Sequence, residues 1–152
     1  MKFVAKEDVA LPQQVHFDLM ADFQMFERVT IRRGVEITRS GSMASSDGLK
    51  WDCTFEFRGR DRMACVHLDE FSAPEKMAFL ITNPALDNRV EITVSALSKK
   101  QSRFQVSTVL EPKTLTARLL IQSMKLARSK YNKRFQKRVA EVANELVALG
   151  AA

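Results

Sequence analysis

Between residues 120 and 149 an apolar side chain returns at every third or fourth position: Leu120, Met124, Ala127, Tyr131, Phe135, Val139, Val142, Leu146 and Leu149. The mean spacing is close to the ~3.6 residues of an α-helical turn. It predicts a terminal helix that begins after Pro112, with Thr114 placed as its N-cap. Unbroken, such a helix is about 50 Å long at ~1.5 Å per residue. A rod of that length with one apolar edge needs an equally extended apolar surface to lie on, so the rest of the chain has to supply one.

The preceding residues supply it as strands. "KFVAKEDVAL" reads as an opening strand. Pro12 then stands where a first helical turn tolerates proline, ahead of "QQVHFDLMADFQMFERV", and Asp22 in its middle is an N-cap that splits the stretch into two short helices. From residue 30 to 111 the period changes to two. "TIRRGVEITRS" alternates through Ile31, Val35 and Ile37, and "KWDCTFEFRGR" is the cleanest strand, with Trp51, Cys53, Phe55 and Phe57 on one side. "RMACVHLDEF", "KMAFLITN", "RVEITVSAL" and "SRFQVSTVLE" follow. The joins "SSDG", "SAPEK", "NPALDN" and "SKKQS" have turn chemistry and are short, which predicts an antiparallel meander with one wet and one buried face. The expected class is α+β: strand, two short helices, an antiparallel meander of five to six strands, and a long C-terminal helix. No repeat or linker divides residues 1–152, so one domain is expected.

Composition narrows the function classes. No apolar run approaches the roughly 20 residues of a membrane span. The start "MKFVAKEDVALP" carries charges where a signal peptide needs an apolar segment, so a cytoplasmic location is expected. Two cysteines, Cys53 and Cys65, do not make a disulfide framework. The net charge of +6 is local. Residues 112–140 hold nine Lys or Arg and no acid, which leaves a net of about −3 on the remainder.

On a helical wheel that basic segment has two sides. Lys130, Lys133 and Lys137 lie nearly opposite the apolar edge, and the same rear line begins with Leu115, Leu119, Gln122 and Leu126. Burial of the edge, at ~1.5–3 kcal/mol per large side chain, outweighs like-charge pairs worth a few tenths each. Single-stranded nucleic acid is disfavoured, because stacking needs exposed aromatics and Tyr131 and Phe135 belong to the inward edge. Leu115, Leu119 and Leu126 with the three lysines are read as a surface contact. Cover by a loop or by the short helices, a homodimer partner or an anionic membrane surface would satisfy it.

With the order of elements in place, the chain resembles the START/polyketide-cyclase (SRPBCC) superfamily and its helix-grip fold. The carriers are that order and the stretches "FERVTIRRGVEITR", "GLKWDCTFEFRGR" and "TLTARLLIQSMKLARSKYNKRF", which are similar to a bacterial branch of the superfamily. The resemblance implies a cavity between a curved sheet and the terminal helix that takes a hydrophobic small molecule or lipid. It does not imply a reaction, since the superfamily includes carriers, sensors, cyclases and chaperone-associated modules.

The candidate lining is Trp51, Cys53, Phe55, Phe57, Val94, Phe104, Val106, Met124, Tyr131 and Phe135, a set that equally suits a packed core. For catalysis the candidates are weak: His67, Asp69 or Tyr131 as a pocket acid or base in a cyclase- or dehydratase-like enzyme. Cys65 and His67 share a strand face, but no zinc-ligand spacing accompanies them, and neither a metal nor a cofactor is expected. His16, on the first short helix, reads as a half-exposed surface histidine. No nucleophile elbow or phosphate-cradling glycine loop is present in the sequence.

Overall fold

The computed structural model describes residues 1–44, 48–57 and 59–150. In chain order the elements are β1 (Lys2–Val9), α1 (Gln13–Met20), α2 (Phe23–Arg32), β2 (Glu36–Ser40), β3 (Lys50–Phe57), β4 (Arg60–Ser72), β5 (Lys76–Thr82), β6 (Leu86–Ala96), β7 (Ser102–Pro112), α3 (Leu115–Leu126) and α4 (Arg128–Gly150). The seven strands form one sheet in the order β1-β7-β6-β5-β4-β3-β2. Every neighbouring pair is antiparallel. The meander therefore runs from β2 to β7, and β1 closes its far side. Of the expected turns, "SSDG" falls largely outside the described residues.

Asp22 divides the first helical stretch as expected, its carboxylate accepting from the backbone N–H of Met25 at 3.1 Å. The strand expected from residue 30 starts later. Thr30, Ile31 and Arg32 complete α2, and Ile31 is exposed. Gly34, at a φ of 86°, donates to the Ile31 carbonyl and ends that helix, so β2 begins only at Glu36. A glycine in this left-handed conformation is a common helix stop.

The terminal rod is two helices. Thr114 caps α3 as expected, accepting from the Ala117 N–H at 3.1 Å. Ala127 then leaves helical geometry, and its carbonyl accepts the first bond of α4, from Lys130. Nothing in the local sequence dictates a break, since alanine is the best helix former. Tertiary contacts impose it: α3 packs on β7, whereas α4 crosses β1 and meets α1. The inward face of α3 is also rotated from the expected one. Ala117 and Ile121 are buried and Leu120 is exposed.

Two apolar clusters hold the layers together. Val139, Ala143 and Leu146 of α4 pack with Leu11, Phe17 of α1, and Ala5, Val9, Met77, Val94 and Phe104 of the sheet. Leu49, Trp51 and Cys53 form the second cluster, covered by Phe23 and partly buried neighbours. Along the sheet edge, Arg128 and Gln136 of α4 donate to the carbonyls of Lys2 and Val4 at 2.9 and 2.7 Å. These bonds fix α4 against β1 and occupy polar groups that an edge strand otherwise leaves open.

Candidate functional site

Directly paired residues of antiparallel strands share a face, so the register sorts every strand side chain. One row runs Ala5, Val106, Ile92, Met77, and the next Phe3, Thr108, Val90, Phe79, Leu68. A third runs Leu110, Asn88, Ile81, Val66, Trp51. This face carries both clusters and lies under the helices. It is buried unevenly. Met77, Val94, Phe104 and Trp51 are fully buried, whereas Val66, Leu68, Phe79, Ile81, Val90, Ile92, Val106 and Leu110 keep part of their surface accessible.

The ten lining candidates divide along the same boundary. Trp51, Cys53, Val94 and Phe104 are buried among protein neighbours and belong to the packed clusters. Phe55 on β3, Val106 on β7, Met124 on α3, and Tyr131 and Phe135 on α4 are half-buried. Phe135 reaches the first cluster and stands 5.9 Å from the Phe3 ring centroid. The Arg134 guanidinium lies 5.7 Å from the Tyr131 ring centroid. Phe57, at the end of β3, is 54% exposed and stands at the rim.

The same register corrects the acid/base candidates. His67 pairs with Lys50 and Leu80 in a row that continues through Arg89, on the face turned away from the helices. Asp69 sits in the bulge between Leu68 and Glu70, its carboxylate 3.1 Å from the Arg89 guanidinium on that outer side. Neither side chain reaches the space under α4. Cys65 is on the outer face too, 3.3 Å from Nε2 of His67, while Cys53 is inside. Burial, and then the neighbouring Asp52, push both thiols above their ordinary range, away from the thiolate that nucleophiles and metal ligands require. Among the described residues no three His, Cys, Asp or Glu side chains are grouped to hold a metal.

His16 is not a surface residue. It is fully buried, its ring edge-on to Phe104 at 5.0 Å. Nδ1 stands 2.8 Å from the Ser102 hydroxyl, which donates to the Leu11 carbonyl at 2.8 Å. Ser102 thus spends its one proton on Leu11, and Nδ1 must be the donor to Ser102. Nε2 is left as a bare acceptor with no partner among the described residues. Burial pushes the imidazole pKa down to about 4.

Two polar arrangements on the inner side had no motif to announce them. Glu27 of α2 accepts from the Trp51 indole at 2.9 Å and from Arg39 at 2.5 Å, which locks the largest inner side chain in place. Arg39 chiefly, with Trp51 adding to it, holds the Glu27 carboxyl below its usual range. On the open part of the face, Thr108 donates to the Asn88 side-chain oxygen. The expected turn "NPALDN" is shorter than its six residues, because β6 already begins at Leu86; carrying the alternation of Val90, Ile92 and Val94 one step back puts the Asn88 amide inward. A separate open cleft of about 460 Å³ lies by α1 at the β5–β6 end, bordered by Gln13, Glu75, Lys76 and residues 93–96, outside the space between sheet and α4.

A seven-stranded antiparallel sheet with two short helices after its first strand and a long helix at the C-terminal end is the arrangement of the helix-grip class. Solved structures agree. The chain is similar to a protein from Thermus thermophilus at TM-score 0.69 and 10% identity, over 98% of this chain and 99% of that one. It is similar to norcoclaurine synthase from Thalictrum flavum, crystallised with dopamine and hydroxybenzaldehyde, at 0.66 and 12%, over 97% and 86%. For the ZhuI aromatase/cyclase from Streptomyces sp. R1128 the values are 0.61 and 11%, over 99% and 93%. No protein-family model and no curated protein matches the chain by sequence. The fold is START-like, of the SRPBCC kind. No helix among the described residues is long and apolar enough to cross a membrane.

Proposed function

We propose that the protein binds a hydrophobic small molecule or lipid between the inner sheet face and the α3–α4 pair, as a carrier or sensor. The observation that carries this is the incomplete burial of the middle of the sheet. Phe79, Ile81, Val90, Ile92 and Val106 belong to interior strands and point toward the helices, yet all keep accessible surface. In a close-packed core such side chains are sealed by their neighbours, as Met77 and Phe104 are here. Apolar surface left accessible on a concave face favours an apolar occupant. Phe55, Val106, Met124, Tyr131 and Phe135 are its lining, with the Asn88–Thr108 pair as a polar point that orients it. The START-like neighbours support the same reading by analogy of fold.

With His67 and Asp69 on the outer face, Tyr131 is the remaining acid/base candidate of the three, and binding without transformation is the simpler function. Native mass spectrometry of protein purified from cells, followed by organic extraction, tests it. A co-purifying apolar compound, or saturable binding of an environment-sensitive fluorophore that Val106→Trp abolishes, is the expected result. Protein that emerges empty and leaves the fluorophore dark overturns the reading.

A further inference from the structure

The outer side of α3 is apolar and uncovered. Leu115, Leu119 and Leu126 are 72%, 58% and 92% exposed. Taking the buried Ala117 and Ile121 as the inward direction, a ~100° step per residue puts these three leucines within one narrow sector on the opposite pole. No loop or helix among the described residues covers them. Three leucines aligned toward water on a two-layer domain are an interaction surface rather than scatter.

The charges around them identify the occupant. Arg118 and Lys125 lie together on one side of the leucine sector, about 60–80° round the same helix from its edge, and Lys130, Lys133 and Lys137 follow on the outward side of α4, all of them exposed. None of the five has an acidic partner among the described residues, in contrast to Lys113 and Arg138, which are paired with Asp87 and with Glu141 and Glu145. From residue 112 to 140 no acid offsets them. A second copy of the chain would set this acid-free surface against itself, opposing leucine burial with like-charge repulsion in an isologous contact. A nucleic acid would meet the cations but leave the leucines without a partner, since no aromatic stands among them.

We propose that α3 docks the protein on an anionic membrane surface. Leu115, Leu119 and Leu126 enter the headgroup–acyl boundary while Arg118, Lys125 and the α4 lysines reach lipid phosphates. This is the division of labour of an interfacial amphipathic helix. It is independent of whether the inner face holds a ligand.

Sedimentation with vesicles decides it. Phosphatidylcholine vesicles in which about one third of the lipid is phosphatidylserine should carry the protein down, and pure phosphatidylcholine should not. Leu119→Glu with Leu126→Glu should lower the apparent affinity at least ~10-fold, as should Lys130→Glu with Lys133→Glu and Lys137→Glu. Both variants should melt with the parent protein, because none of these side chains is buried. No sedimentation with anionic vesicles, or sedimentation indifferent to the leucine changes, overturns the proposal. So does a concentration-dependent dimer that the leucine changes dissolve, or retention on RNA in place of vesicles.

Discussion

His16 shows how much one buried side chain can determine. An unfolded histidine titrates near 6.5, whereas the folded imidazole, held away from water, binds its proton only near 4. Between those values the unfolded chain holds more protons than the native one, so stability falls as the pH is lowered. Above about pH 7 the contribution is fully present. It is lost progressively from about 6.5 down to about 4, and amounts to roughly 3 kcal/mol at ~1.36 kcal/mol per unit. Urea unfolding of the parent protein and of His16→Gln across pH 4 to 7 checks this. The parent should lose stability through the whole window, and the variant should be nearly flat until the carboxylates protonate. Asp8 and Glu27, held low by Arg103 and Arg39, contribute only at the acid end. Nothing local announces this role for His16, since its partner Ser102 lies 86 positions away and meets it only through the fold.

Among the elements, the helices test the phase of burial. Leu146 is buried in the first cluster and Leu120 is exposed. Leu146→Ala should cost about 2–5 kcal/mol, and Leu120→Ala should stay within about 0.5 kcal/mol. Equal losses would mean that α3 presents the other face. Thr114→Ala removes the cap of α3 and should cost about 1 kcal/mol by the same measurement. These differences also mark what the chain discloses in advance. Strand alternation through Trp51 and Cys53 or Val90 to Val94, the Asp22 and Thr114 caps, and the order of the elements were legible, because each is a local pattern with one physical cause. The bend at Ala127 was not, because no residue there disfavours helix. The phase of α3 was misread because Leu120 and Ile121 are adjacent and equally apolar. The packing of α3 on β7 buries Ala117 and Ile121 on one face and leaves Leu120 outside it. The outward placement of His67 and Asp69 depended on strand register, and pairing partners do not appear in sequence.

At the scale of the whole molecule, the open question is how completely two layers can close on each other. The packed clusters share Leu68 and Phe79 as partly buried neighbours, one lying where α1 and the end of α4 meet β1, β5, β6 and β7, the other where α2 meets β3. Between their centres the helices leave the inner rows of β5, β6 and β7 incompletely covered. This makes a gap distinguishable from a core by stability alone, without any knowledge of the ligand. In a close-packed interior, enlarging a side chain forces neighbours off their rotamers and costs about 1–3 kcal/mol. Where a gap exists, the added atoms find contacts at no such cost. Ile92→Phe and Val106→Phe should therefore leave urea stability unchanged or slightly raised, while the matched change Val94→Phe, inside the first cluster, should lose about 1–3 kcal/mol. The two permissive variants should also weaken fluorophore binding, because they fill the space that the ligand needs. If all three enlargements destabilise alike, the middle of the sheet is packed solid and the protein has no interior site to offer.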